Sequence, residues 1–217
     1  SYWPEIVRIC KKYDVLLWSD EVICGFGRTG SWFGAETYGF TPDIMTLAKG
    51  LSSGYQPISA TALGPRLGQA IAEAPEELAH GYTYSGHPVA SAVALKNLEI
   101  MERMDLVGAR GHRVAAYFQE RMRTLADHPL VGEVRGIGFL AALELVKDKG
   151  SRTRYPKSVD AGIVCRDVCF DVGLVMRSVR DTMILSPPLI ITEAQVDELV
   201  ALARACLDGT AEKLASL

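Results

Sequence analysis

The chain has 217 residues, of which 48% are hydrophobic and 23% are charged, and its formal net charge at pH 7 is −3. This balance is typical of a globular protein with one large or two modest domains and a proper core. The small negative charge does not favour nucleic acid or an anionic membrane surface as a partner. No apolar run approaches the ~20 residues that a membrane helix needs.

The cysteine pattern predicts reduced thiols rather than disulfides or a metal site. The five cysteines form no C-x-x-C pair, and an odd, scattered set is typical of core thiols in a reducing compartment, here the cytoplasm. Two of them are spaced i, i+4 on a predicted helix, but no further ligands stand nearby in the sequence, so we predict no metal site. The cysteines are Cys10, Cys24, Cys165, Cys169 and Cys206.

The first half of the chain predicts helices alternating with strands. Residues 3–13 have helical spacing of apolar positions, and further helices are expected within 65–79 and from Pro88 onward. Two short apolar runs, 15–19 and 44–48, are bounded by turn residues and predict buried, parallel strands.

The second half predicts a smaller domain of mixed helices and strands, and we find no internal repeat. A long helix is expected over 105–126, strands within 131–146 with a turn or bulge at 134–138, and a solvated basic loop at 147–157. Next come a helix over 158–172 that ends at Gly173, a strand over 174–178, and a last helix opened by a capping box at Thr192.

Each apolar run of the first half is followed by one charged residue, Asp20 after the first run and Lys49 after the second. Unpaired buried charges are costly, and the carboxyl ends of parallel strands meet at one edge of a sheet, where ligands bind. The pair therefore predicts a ligand crevice, with an Asp–Lys ion pair that closes the sheet edge as the structural alternative.

A G-x-G-x-x-G motif follows at Gly25, Gly27 and Gly30. In a dinucleotide-binding protein this motif opens a helix directly after a strand, and an acidic residue stands about 20 positions further on. The residues that follow here show no helical period, so a glycine-rich connection is the better interpretation. An NAD(P)-linked oxidoreductase stays open as an alternative function.

Two further stretches offer ligand-binding groups. Thr83 lies with Tyr82 in a loop of hydroxyls and glycines just before the helix that starts at Pro88, which predicts an anion site or, alternatively, a simple helix cap. Arg177 is the one charge in an apolar strand, and guanidinium groups bind carboxylates in a bidentate manner. Arg180 is the neighbouring arginine that could be confused with it.

Five motifs carry a family resemblance across essentially the whole chain. They are S-D-E-V-I-C-G-F-G-R-T-G at 19–30, A-K-G-L-S-S-G-Y-Q-P at 48–57, H-G-Y-T-Y-S-G-H-P at 80–88, V-R-G-I-G-F at 134–139 and V-M-R-S at 175–178. In this order they resemble the class III (omega-type) aminotransferases, which use pyridoxal 5'-phosphate (PLP). The resemblance implies an α/β fold of fold-type I, with residues 1–107 in the large PLP-binding domain and 108–217 in a small α+β domain.

The resemblance also implies roles for individual residues. Lys49 would be the Schiff-base lysine, Asp20 the partner of the pyridine nitrogen, and Val22, on the face of Asp20 if the segment stays extended, would pack under the cofactor ring. Thr83, with Tyr82 beside it, would bind the PLP phosphate of the neighbouring subunit.

Arg177 would anchor the substrate carboxylate. The implied reaction moves an amino group from an amine or ω-amino acid to a keto acid such as pyruvate, in a homodimer. Family members are longer, so we expect a fragment without the phosphate loop and the ring-stacking aromatic residue. A non-catalytic dimerisation module of the same fold is the other alternative, and the joint presence of Asp20, Lys49, Thr83 and Arg177 argues against it.

Overall fold

A computed structural model describes residues 2–216 of the chain. The chain divides into two units, the first ending at Ala109 and the second beginning at Arg110, and each is described by itself. No helix within residues 2–216 is long and apolar enough to cross a membrane.

The first unit is built on a three-stranded sheet. Strand β2 (Ile44–Leu47) lies in the middle, parallel to β1 (Trp18–Asp20) and antiparallel to β3 (Ala60–Leu63). A 3-10 turn, Lys49–Leu51, follows β2 after one residue. The elements are α1 (Tyr2–Tyr13), β1 (Trp18–Asp20), α2 (Gly34–Tyr38), β2 (Ile44–Leu47), β3 (Ala60–Leu63), α3 (Pro65–Ala72) and α4 (Pro88–Arg103).

The prediction of two buried strands is wrong in part, because only one face of β1 is covered. Leu17 and Ser19 are buried, whereas Leu16, Trp18 and Asp20 are exposed. Side chains alternate between the two faces of a strand. An apolar run therefore shows that both faces are apolar, but it does not show which face is covered by other residues. Asp20 therefore lies on the open face of the sheet.

The second unit is an antiparallel sheet packed against three helices, and its strands lie in the order β4 (Val131–Ile137), β5 (Leu140–Leu145), β7 (Thr182–Leu185) and β6 (Arg177–Val179). Its elements are α5 (Ala109–Arg123), a 3-10 turn (Thr124–Asp127), β4 (Val131–Ile137), β5 (Leu140–Leu145), α6 (Ala161–Asp171), β6 (Arg177–Val179), β7 (Thr182–Leu185) and α7 (Glu193–Ala215). The core includes Phe118, Met122, Phe139, Leu143, Met183 and Leu207, and it also holds Cys165, Cys169 and Cys206 as buried free thiols. Burial of each large apolar side chain contributes about 1.5–3 kcal/mol, so this core stabilises the second unit.

Two predicted boundaries in this unit are corrected. Strand β4 continues through Gly136, where an added Cβ would lie 2.4 Å from the carbonyl oxygen of Leu140, so this glycine permits close strand pairing rather than a turn. The turn is made by Gly138, whose φ is +57°. The helix predicted from residue 105 begins only at Ala109, because Asp105 has a φ of +54° and lies outside helical geometry.

Candidate active site

The parallel pairing of β1 and β2 places Asp20 and the Lys49 turn at the same edge of the sheet. Asp20 ends β1 and lies opposite Thr46 in the register, and Lys49 follows the end of β2 by two residues. Because both strands end at this edge, the structure brings the two predicted charges to the carboxyl end of the sheet.

Asp20 is an exposed carboxylate held by two donors. Its Oδ1 accepts from the backbone N–H of Val22 at 3.1 Å and from the hydroxyl of Thr46 at 3.4 Å. The indole Nε1 of Trp18 donates in turn to Thr46 Oγ1 at 3.3 Å. Sequence reasoning missed Thr46, because its role depends on the strand register.

Val22 does not lie in an extended segment, so the alternation argument that placed it on the face of Asp20 is wrong. The strand ends at Asp20, and Val22 lies in a turn whose backbone N–H is bound by the Asp20 side chain. An Asp side chain that binds the N–H two residues on is a common way to start such a turn.

Lys49 is exposed and has a backbone φ of +42°, in the left-handed region that favours glycine. For a residue with a Cβ this conformation costs on the order of 1–3 kcal/mol and persists where the surroundings enforce it. Within residues 2–216 no salt bridge joins Lys49 to Asp20, so the ion-pair alternative is not observed. Strained backbone of this kind is concentrated at functional sites.

Glu21 is a buried carboxylate that the sequence analysis overlooked. It accepts hydrogen bonds from the backbone N–H groups of Gly34 at 2.8 Å and Ala35 at 2.7 Å, and from the hydroxyl of Ser19 at 3.2 Å. These contacts tie the far end of the glycine-rich segment to the end of β1. No local signal in the sequence points to this, because the donors of Glu21 lie thirteen and fourteen positions further along the chain.

The glycine-rich segment does not form a dinucleotide-binding turn. Gly27 and Gly30 have φ values of +94° and +99° and lie in successive turns, and the next helix, Gly34–Tyr38, has only five residues. Because no helix opens at the glycines, the strand–turn–helix arrangement of an NAD(P) site is absent from this stretch.

Tyr82 and Thr83 lie in a fully exposed loop before α4. The N-terminus of α4 is capped by His87, whose Nδ1 accepts from the backbone N–H of Ala90 at 3.4 Å, so Thr83 is not the cap. Tyr82 also lines an open groove of about 890 Å³ in this unit, together with Pro57 and His87. The hydroxyl of Thr83 is thus left at the surface.

Arg177 begins β6 in the second unit and is exposed. Its cross-strand partner is Ile184 on β7, and on the same face of β7 Thr182 pairs with Glu144. Glu144 is bound by Arg135 at 2.9 Å and Arg154 at 2.8 Å, so this carboxylate is already shared by two guanidinium groups.

Arg180 occupies the hairpin turn between β6 and β7, with a φ of +54°. Its carbonyl oxygen accepts from Ser178 Oγ at 3.0 Å, and an added Cβ at Gly162 would lie 1.8 Å from that oxygen. The backbone of Arg180 therefore packs on α6, which gives this residue a structural function that Arg177 does not share.

The edge of the first sheet fits a ligand that offers both a protonated ring nitrogen and a carbonyl carbon. Asp20 presents a carboxylate and Lys49 an amine, both are exposed, and neither belongs to a salt bridge within residues 2–216. A carboxylate can hold the proton of a ring nitrogen, and an amine can bond covalently to a carbonyl. This donor set is compatible with PLP.

Comparison with known proteins agrees with this chemistry. Residues 1–207 match the family described as aminotransferase class-III. The chain is 52% identical over 211 residues to the putrescine--pyruvate aminotransferase of Pseudomonas aeruginosa, covering 97% of this chain and 46% of that protein. It is 45% identical over 207 residues to the diaminobutyrate--2-oxoglutarate transaminase of Halomonas elongata, covering 93% of this chain and 44% of that protein.

The solved structures that resemble this chain are also transaminases. A structure described as a transaminase with L-Ala superposes with a TM-score of 0.93 at 46% identity, covering 99% of this chain and 51% of that chain. The omega transaminase of Pseudomonas jessenii in complex with PMP gives a TM-score of 0.93 at 42% identity, over 99% and 48% of the two chains.

The fold is thus that of the fold-type I PLP-dependent enzymes. The chain belongs to the aminotransferase class-III family, whose members are PLP-dependent, and this confirms the resemblance inferred from the motifs. The chain spans about half the length of the curated relatives that it matches.

Proposed function

We propose that the full-length protein containing this chain is a PLP-dependent aminotransferase that moves an amino group from an amine or ω-amino acid to a keto acid such as pyruvate. The observation that carries the proposal is the arrangement of Asp20 and Lys49 at the ends of two parallel strands. The 52% identity to a putrescine--pyruvate aminotransferase supports pyruvate as the acceptor and an amine as the donor.

Each of the two charged residues has a distinct role. When bound, PLP supplies a carbonyl that takes the amino group and a ring that accepts electrons. The amine of Lys49 holds the cofactor covalently and moves the proton of the substrate carbon. The carboxylate of Asp20 keeps the ring nitrogen protonated, and at ~4 Å and an effective dielectric of ~20 such an ion pair is worth on the order of 4 kcal/mol.

The remaining residues bind the cofactor and the substrate. Val22 would pack beneath the cofactor ring, Thr83 with Tyr82 would bind the phosphate of the cofactor held by the neighbouring subunit, and Arg177 would anchor the substrate carboxylate. Exposure of the loop that carries Tyr82 and Thr83 supports a role across a subunit boundary, and exposure of Arg177 supports one in substrate binding.

This arrangement requires a homodimer with shared active sites. The large PLP-binding domain would contribute residues 1–107 and the small domain residues 108–217. A cytoplasmic location is supported by the free state of all five cysteines.

Borohydride reduction tests the proposal directly. In the full-length protein loaded with PLP, we expect reduction to fix the cofactor to Lys49, as located by peptide mapping. Lys49→Ala should bind PLP only non-covalently and lose turnover, whereas Lys96→Ala, at an exposed lysine paired with Glu99, should retain both properties. A reduced cofactor found on another residue would refute the assignment.

Mixed dimers test the role of Thr83. Homodimers of Lys49→Ala subunits and homodimers of Thr83→Ala subunits are each expected to be impaired. If Thr83 binds the cofactor held by the partner subunit, one active site of a mixed dimer lacks both Lys49 and Thr83. The other active site then contains both residues and is fully restored. Recovery of activity above that of both parent homodimers is expected, and its absence would contradict a shared site.

A further inference from the structure

The turn that carries Lys49 is anchored by a residue far along the chain. The side-chain amide of Asn97, on α4, donates to the carbonyl oxygens of Gly50 at 2.9 Å and Leu51 at 3.1 Å. An amide nitrogen carries two protons, so one side chain can satisfy both carbonyls. Both of these carbonyls belong to the 3-10 turn that begins at Lys49.

The other side of the turn rests against the glycine-rich segment. A Cβ at Gly50 would lie 2.8 Å from Cβ of Phe26 and 3.3 Å from the carbonyl oxygen of Gly25. Phe26 is only 4% exposed and therefore cannot move aside. The turn is thus confined between a packed aromatic residue and the Asn97 amide.

This confinement accounts for the backbone of Lys49. A lysine at a φ of +42° would relax toward a commoner conformation unless its neighbours prevent it. Phe26 blocks movement toward the glycine-rich segment, and the hydrogen bonds of Asn97 oppose movement of Gly50 and Leu51 away from α4. Relaxation of φ at Lys49 would redirect its side chain and displace the reacting amine.

We propose that Asn97 is a positioning residue that holds Lys49 in its left-handed conformation and so aims the amine at the cofactor. The inference rests on the proposed role of Lys49 as the residue that binds PLP. Asn97 itself does not contact the reacting atoms.

The test uses Asn97→Asp, which keeps the shape of the side chain but removes both donors and turns an oxygen toward the two carbonyls. Gln119→Glu is a matched control, because the Gln119 amide binds the carbonyl oxygens of Gly138 and Leu140, both at 2.9 Å, in the second unit. Asn97→Ala removes the donors without introducing a charge.

The first measurement is amide hydrogen exchange over residues 49–55 in the cofactor-free, full-length protein. Loss of two neutral hydrogen bonds is expected to speed exchange there about tenfold or more in both Asn97 variants. Gln119→Glu should leave this segment unchanged and speed exchange around residues 136–141 instead.

The second measurement is the rate at which added PLP becomes fixed to Lys49, trapped by borohydride at successive times. A slowing of about tenfold is expected for the Asn97 variants and none for Gln119→Glu. If both Asn97 variants exchanged amide hydrogens and attached PLP to Lys49 at the rates of the wild type, the inference about Asn97 would be overturned and the proposed function would stand. A cofactor attached elsewhere in the wild type would overturn the proposed function with it, and failure of both variants to fold would show that Asn97 supports the whole unit rather than the turn.

Discussion

The hydroxyl of Thr46 donates to Oδ1 of Asp20 at 3.4 Å, and the two residues are register partners across β1 and β2. Thr46 in turn accepts from the indole of Trp18 at 3.3 Å. Since Oδ1 is held by this hydroxyl and by the N–H of Val22, the carboxylate has a fixed orientation before any ligand is bound. We infer that the sheet itself orients the carboxylate that is proposed to hold the ring proton.

Substitutions of Asp20 and of Thr46 should therefore lower kcat by different amounts. Asp20→Asn is expected to keep the fold but lower kcat by orders of magnitude, because an amide cannot hold the ring proton. Thr46→Val removes one hydrogen bond, worth about 0.5–1.5 kcal/mol, and is expected to lower kcat severalfold. Steady-state kinetics with measured cofactor content would check both.

Thr61→Val is the matched control, because Thr61 lies opposite Thr46 on β3, which β2 separates from the strand that ends at Asp20. It is expected to leave kcat unchanged. Near-normal turnover in cofactor-loaded Asp20→Asn would show that another group fills this role.

Glu21→Gln is expected to loosen the glycine-rich segment. One oxygen of the buried carboxylate becomes an NH2 group facing the backbone N–H of Gly34 or Ala35, which costs about 1–3 kcal/mol. Hydrogen exchange over residues 22–38 should rise and the melting temperature should fall. Glu36→Gln, at an exposed side chain that accepts from Phe33 N at 3.2 Å, should change neither, and equal behaviour of the two variants would contradict this role for Glu21.

The features that sequence predicted well are those fixed by local chemistry. Pro88 opens α4, the Thr192 capping box opens α7, and Gly173 follows α6 with a φ of +80°, as predicted. Each depends on residues within one or two helical turns, so no knowledge of the remaining chain was needed. The placement of Asp20 and Lys49 at one sheet edge followed from the same local patterns plus the rule for parallel strands.

The features that sequence missed depend on pairing between distant segments. Thr46 meets Asp20 only through the strand register, Glu21 meets Gly34 across thirteen positions, and Asn97 reaches Gly50 across forty-seven. A threonine in a strand, a glutamate just after a strand and an asparagine in a helix are all common. Nothing local distinguishes a side chain that binds a distant backbone group from one that binds water.

Glu144 is expected to make the second unit more stable above about pH 4.5 than below it. Burial alone would raise the pKa of Glu144, but hydrogen bonds from Arg135 and Thr182 and the charge of Arg154 hold the pKa below its usual value. A carboxylate whose pKa is lower in the folded state contributes stability above its unfolded pKa of about 4.3 and loses it as the pH falls through the folded pKa.

Glu144→Gln should therefore lower the free energy of unfolding by about 1–3 kcal/mol at pH 7. The difference from wild type should stay constant down to about pH 5 and shrink below that. Denaturant unfolding at pH 7 and pH 4 measures it, with Glu133→Gln as the control, since Glu133 is half exposed and 3.9 Å from Arg135. A difference that grew toward low pH would contradict the assigned direction.

Arg177→Ala should separate carboxylate recognition from the transfer chemistry. If Arg177 anchors carboxylates, the variant should raise the Michaelis constant for pyruvate and for carboxylated donors. Loss of a charge-assisted hydrogen bond costs roughly 1.5–3 kcal/mol, which corresponds to about ten- to more than a hundredfold in apparent affinity. An uncharged aryl amine offers no carboxylate, so its half-reaction should be much less affected.

The control is Arg180→Ala, because the two arginines lie three residues apart but only the backbone of Arg180 is used, in the hairpin turn that packs on Gly162. This variant is expected to leave both donor classes near wild-type rates and the melting temperature nearly unchanged, since alanine also has a Cβ, carries the same strain at a φ of +54° and keeps the backbone contacts. Single-turnover amination of the bound cofactor with each donor type gives the comparison. Equal losses for carboxylated and uncharged donors in Arg177→Ala would make that residue structural, and a donor-selective loss in Arg180→Ala would move the anchor to Arg180.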